Sequence, residues 1–127
     1  MKILSLISRL LLGLMFTVFG ANSIHFFMGK MPPRMPGTAG DFASALMDSH
    51  YTQVIGVLMV ISGLLFLVNR YVPLALVILG PILVNILLFH ALLMHEGFQA
   101  GVLATILWFI VFYAHRAAFA GIFTAKA

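Results

Sequence analysis

The chain has no cysteine and very little charge. Without thiols there is no disulfide, no thiolate nucleophile, no thiolate-held iron–sulfur cluster and no dithiol relay. Only 8% of the 127 residues are Asp, Glu, Lys or Arg, against about 25% in an average soluble domain. What is present is apolar: 63% of the residues are hydrophobic and the mean hydropathy is +1.15. A soluble fold of this size leaves too much surface in water to hide so much apolar side chain. These totals exclude an ordinary soluble enzyme, a disordered chain and a secreted disulfide scaffold, and they leave an integral membrane protein. Seven basic residues against three acidic give a net charge of +4. The bases stand singly, with no cluster and no basic helix face, so they read as topology-setting charges beside anionic lipid rather than as a nucleic-acid surface.

A helix crossing a ~30 Å hydrocarbon core needs about 20 apolar residues. Four stretches meet that requirement, at about 10–27, 51–68, 71–94 and 98–113, with an outer loop over 28–50. The predicted fold is therefore an all-α, four-helix transmembrane bundle forming one domain over 1–127. Ile3–Ser8 can extend the first span, with Arg9 snorkelling near an interface. Pro73 falls in the first turn of the third span, where a missing N–H costs little. Gly80-Pro81 falls inside that span and predicts a kink. The Asn69-Arg70 connection forces the second and third helices to be antiparallel neighbours. In the loop, Pro-Pro and Pro-Gly reject helix in the first half. From Asp41 onward a short interfacial helix is expected, presenting Phe42, Ala45 and Leu46 and capped by Asp41 or Gly40.

Lys2, Arg9, Arg70, Arg116 and Lys126 lie on one side of this layout, and Lys30 and Arg34 on the other. The positive-inside rule then places both termini in the cytoplasm. Lys2, the following apolar run and Gly20-Ala21 resemble a secretory signal, but Arg9 interrupts the run and the segment is long enough to span, so an uncleaved helix is expected. Small residues recur at four-residue spacing at Gly13, Thr17 and Ala21, at Gly97 and Gly101, and at Ala117 and Gly121. Such stripes let helices approach closely. They read as contacts within the bundle, with a homo-oligomer face as the alternative.

No Asp, Glu or Lys falls within a span, which weighs against pumps, ion-coupled transporters and voltage sensors. The buried polar residues are neutral, and helix direction gathers them at one end. Asn22 and His25 close the first span, His50 and Gln53 open the second, and Asn85, His90 and His95 lie toward the end of the third beside Glu96. Four of the five histidines thus lie toward the outer leaflet. Asn85 and His90 are about 140° apart around a helix, so either Asn85 with Phe89 or Ile86 with His90 faces inward. Three readings follow for the histidines. They are interfacial polar groups; or they line a pocket that hydrogen-bonds a quinone-like ligand; or, less favoured, two of them, such as His25 and His90, ligate haem. No HExxH and no His pair at i,i+4 marks a metal site.

The stretch RLLLGLMFTVFGANSIHFF, the Pro-containing loop, and VIGVLMVISGLLFLVNRYVPLALVILGPILVNILLFH together resemble the DoxX-like family of small bacterial membrane proteins. Arg9 and Gly13, then Gly63, Leu64, Leu65 and Arg70, then Pro73, Leu74, Ala75, Gly80, Pro81, Asn85 and His90 carry the likeness over most of residues 9–95. The resemblance implies a four-helix protein of the bacterial inner membrane, associated with quinone-linked oxidoreductases or redox-stress complexes. Related four-helix quinone reductases use a cysteine pair, which this chain lacks. The expected function is an accessory or anchor subunit of a redox enzyme, with no autonomous reaction. A quinone-like ligand would sit in an outer-leaflet pocket of Asn22, His25, Asn85 and His90, with His50, Gln53, His95 and Glu96 as secondary candidates. The alternatives are a non-catalytic packing or assembly protein of an envelope or stress complex and, behind it, a small-molecule permease.

Overall fold

The computed structural model of the chain describes residues 2–24, 37–93, 98–123 and 125. Among these there is helix and no strand. Helix α1 is Lys2–Ile24, α2 Gly37–Asp48, α3 Tyr51–Val68, α4 Val72–Leu88 and α5 Gln99–Ala114. A π-helical turn, Phe89–Leu93, prolongs α4, and a 3₁₀ helix, Arg116–Phe123, follows α5. Three helices are long and apolar enough to cross a membrane: α1, α3 and α4 with its π turn. There are up to four if α5 and the 3₁₀ helix, bent by 86° at their junction, count as one broken span. The bend falls at His115, whose backbone N–H donates to the Val111 and Phe112 carbonyls and whose Nδ1 lies 3.0 Å from the Val111 oxygen.

The first and third helices meet through glycine. Gly13 and Gly20 on α1 lie against Gly63 and Gly56 on α3, so the two helices run antiparallel. The seven-residue spacing keeps both contact points on one face of each helix. A Cβ on Gly20 would lie 2.7 Å from the Gly56 oxygen, and one on Gly63 would lie 2.6 Å from the Thr17 nitrogen. No side chain fits there, and the backbones touch directly. At one end of the same seam Arg9 donates from Nη1 to the Phe66 and Leu67 carbonyls of α3. Arg9 is half-buried and caps a neighbouring helix, where the sequence pointed to a snorkelling interfacial residue. Helix ends leave carbonyls without intrahelical donors. Here Arg9 meets two of them, and the Arg70 N–H meets the Leu65 carbonyl at 3.1 Å. Asn69 makes that closure in the left-handed region, at φ 56°.

The chain then reverses into α4, with Pro73 in its first turn. The helix runs through Gly80-Pro81 to Leu88 before passing into the π turn. On α5, Trp108 Nε1 donates across the bundle to the Leu76 carbonyl at 3.0 Å, and its ring stacks on Phe112 at 5.2 Å. Helix α1 also packs on α5, and α3 on α4, which closes a four-helix ring around Leu12, Phe16, Phe66, Leu76, Leu79 and Val111. Helix α2 rests on α3 and on the π turn, with the Phe42 and Phe89 rings 5.9 Å apart. It starts at Gly37, so Gly40 and Asp41 lie within the helix and are not its cap.

Thr17, Ser23, Ser62 and Thr105 each donate a side-chain hydroxyl to the carbonyl four residues earlier in their own helix, and Ser49, just past α2, does the same to Ala45. Ala117 and Gly121 are exposed, and a Cβ on Gly121 would meet nothing within 4 Å. Among the described residues that pair therefore makes no close contact within the bundle.

Candidate ligand cavity

A cavity of about 150 Å³ lies where α1 and α3 meet α4 and α5. Met15, Phe16 and Phe19 from α1 and Met59 from α3 form one wall. Ile86 of α4 and His90 of the π turn form another, and Ala100, Gly101 and Ala104 of α5 complete the lining. The space exists because α5 presents three small residues where the other helices present large ones. Gly101 is already close to Ile86, since a Cβ there would lie 3.1 Å from Cγ2. The cavity is half-open to the outside, and its walls are predominantly apolar. His90 is half-buried and is the one polar side chain that the described residues bring to the lining. Its ring stands edge-on to Phe89, with centroids 5.4 Å apart.

Of the two inward faces open to this helix, the chain uses Ile86 with His90. Asn85 is exposed, and its Nδ2 donates to the Pro81 carbonyl of its own helix at 2.8 Å. Asn22 is half-buried on the last turn of α1 and lies outside the cavity lining. His50 is exposed and occupies the left-handed turn between α2 and α3, at φ 66°. Gln53 is half-buried, and its Oε1 is buried without a donor among the described residues. His25, His95 and Glu96 lie outside the described residues. The structure thus brings one of the predicted residues, His90, to a cavity, and it does not place Asn22 or Asn85 there with it.

Comparison with protein-family models, with curated proteins and with solved structures finds no match for this chain.

The chemistry available at the cavity follows from its lining. An engineered apolar cavity of about 150 Å³ admits benzene, so this volume suits a single six-membered ring and is far too small for a porphyrin. Imidazole can donate or accept one hydrogen bond through each ring nitrogen. In apolar surroundings such a bond to a carbonyl or hydroxyl is stronger than in water. Among the described residues the lining supplies no carboxylate, hydroxyl or amine to act with His90 on a substrate. Among the described residues no group of three or more His, Cys, Asp or Glu could hold a metal ion. The arrangement can bind and orient a ring.

The lining residues that the sequence does not single out are Met15, Phe16 and Phe19 of α1 and Met59 of α3, which carry no chemistry of their own. The signal that marks the space is on α5, where Ala100, Gly101 and Ala104 put three small side chains within two turns.

Proposed function

We propose that the protein is a multi-pass membrane subunit of a quinone-linked redox system, which holds the ring of a quinone-like ligand in the cavity against His90. The observation that carries this reading is the ring-sized apolar cavity with one hydrogen-bonding side chain, His90, among the described residues of its lining. A quinone asks for that combination: apolar walls for the ring, one polar group for a carbonyl oxygen, and an opening through which an apolar tail can leave. The protein supplies position and a hydrogen bond, and a partner enzyme supplies the electrons.

A membrane setting is supported by the apolar lengths of α1, α3 and α4 and by their apolar outward faces. Ile3, Val54, Val68, Val77 and Val84 are all more than half exposed. The hydroxyls that bond within their own helices fit the same setting, because a bilayer offers no water to satisfy them. In this reading both termini are cytoplasmic, the membrane is the bacterial inner membrane, and the likeness to DoxX-like proteins is one of kinship. The Arg116 guanidinium lies 4.1 Å from the centre of the Tyr113 ring at the bend after α5, a pairing suited to the headgroup level.

The test is a titration of the detergent-purified protein with a short-chain benzoquinone, beside a quinone assay of its lipid extract. His90→Ala removes the hydrogen bond and is expected to weaken binding about tenfold, the equivalent of ~1.4 kcal/mol. Ala100→Leu, at an exposed position in the lining, should obstruct the ring while leaving helix content unchanged. Equal binding by all three proteins overturns the site. A protein with no quinone affinity, whose His90→Ala variant loses only thermal stability, favours the packing or assembly role.

A further inference from the structure

We propose that the outer face of α4 docks on the same face of a second copy of this chain, with Asn85 pairing to Asn85 across a two-fold axis. The inference rests on the membrane setting proposed above and not on the quinone cavity.

Asn85 is an exposed amide on an otherwise apolar face. Val77, Val84 and Leu92 on the outward side of the same helix are each more than half exposed. Counting back from Leu93 at 1.5 Å per residue puts Asn85 about 12 Å in from the end of the helix. That is well inside a ~30 Å hydrocarbon core. Its one bond among the described residues is from Nδ2 to the Pro81 carbonyl. One amide hydrogen and the Oδ1 acceptor remain to be satisfied. Lipid tails cannot satisfy them, and transmembrane helices meet such groups by hydrogen bonding to one another. Four residues before Pro81, the Val77 carbonyl also lacks its usual helical donor, because proline has no N–H. Val77 also lines an open apolar groove of about 480 Å³, which Gly80 and Pro81 share with Trp108 and Phe109 of α5.

The amide itself selects the occupant. It still offers both a donor and an acceptor, so a second copy of the same group turned by 180° satisfies both at once, as an isologous interface requires. Copies inserted in the same direction carry residue 85 at the same depth, which lets the pair form. A lipid chain offers neither group.

The absence of cysteine makes the test direct. Val84→Cys and Leu88→Cys, each as a single cysteine, flank Asn85 on the exposed face. Leu64→Cys lies on the exposed side of α3 and serves as the control. Each variant is reconstituted into phosphatidylethanolamine–phosphatidylglycerol vesicles at low protein density and oxidised. At least one of the α4 cysteines is expected to give a disulfide-linked dimer and the α3 cysteine none, and adding Asn85→Leu should lower the dimer yield about tenfold. Dimers from neither α4 position, equal yields on α3, or yields indifferent to Asn85→Leu overturn the proposal. Alkaline carbonate extraction of the same vesicles reads the membrane setting separately. Protein released by carbonate overturns that setting, and retained protein without α4 dimers overturns only the dimer. Circular dichroism of Asn85→Leu guards against misfolding, and its helix should be intact because the bond it loses lies within α4.

Discussion

The α1–α3 seam and the α4–α5 seam solve one packing problem in opposite ways. Along α1 and α3, glycine meets glycine at two levels and the backbones touch. Along α4 and α5, Trp108 and Phe112 fill the gap with rings, and Gly80 has nothing nearer than the Trp108 ring at 3.6 Å from its would-be Cβ. In the membrane setting proposed above, the hydrophobic effect does not press helices together, so close van der Waals contact and interhelical hydrogen bonds must do it. The first seam uses both, through glycine and Arg9. The second holds its helices farther apart and keeps one such bond, from Trp108. Space follows from that difference: the ring-sized cavity and the outward groove both adjoin α4 and α5. The glycine seam is the closely packed half of the bundle, and the half lined by large and small side chains has room for a ligand.

The contrast breaks most visibly at Gly63. Gly63→Ala drives a methyl group into the Thr17 and Gly13 backbones. It is expected to cost about 3 kcal/mol, the upper range for overpacking. Thermal unfolding followed by circular dichroism in mild detergent measures it, and a melting temperature equal to that of the unsubstituted protein would show that the seam yields. Next in size is Arg9→Met, which keeps the length of the side chain and removes the charged donor. Hydrogen bonds to charged groups contribute about 1.5–3 kcal/mol, and the same melt should fall accordingly. Arg9→Lys, with one flexible ammonium in place of a fork, should recover part of the loss.

Much of this was legible in the sequence. The apolar runs mark α3 and α4 almost residue by residue, because a run of 18 or more apolar residues has few structural alternatives. Gly13 and Thr17 are visible as an approach face from their four-residue spacing. Gly20 is not, because its role comes from Gly56 on another helix, and one-helix periodicity carries no information about the partner. Arg9 reads as an interfacial charge for the same reason: only the folded bundle puts the Phe66 and Leu67 carbonyls beside it. At the candidate site, helical angle already separates Asn85 from His90 but cannot choose between them. The choice of His90 is seen in the packed bundle, where the small residues of α5 leave their space beside the π turn. A π turn has no simple sequence signature.

Trp108→Phe tests the aromatic seam with a smaller step. A smaller phenyl ring replaces the indole beside Phe112, and the Nε1 donor to Leu76 goes. The Leu76 carbonyl keeps the Gly80 N–H as its own helical donor, so no acceptor is orphaned. The expected loss is about 1 kcal/mol, that of one neutral hydrogen bond, again read from the melt. A loss as large as that of Gly63→Ala would mean that the second seam depends on this bond as heavily as the first depends on glycine.

Gly80→Ala should be the smallest of these effects, and it is the direct counterpart of Gly63→Ala. The new methyl group would meet Trp108 at an ordinary contact distance of 3.6 Å, so packing offers no penalty. Two backbone terms then oppose each other. Alanine is favoured over glycine inside a helix by about 1 kcal/mol. Against that, a Cβ on the residue before a proline crowds the proline ring in the helical region, and Gly80 precedes Pro81 inside α4. The two nearly cancel, and the melt should move by less than about 1 kcal/mol in either direction. One methyl group, placed on glycines of two seams, thus separates them by about 2 kcal/mol or more. Equal losses at Gly63 and Gly80 would mean that spacing does not distinguish the seams, and the cavity beside α5 would then need a different explanation.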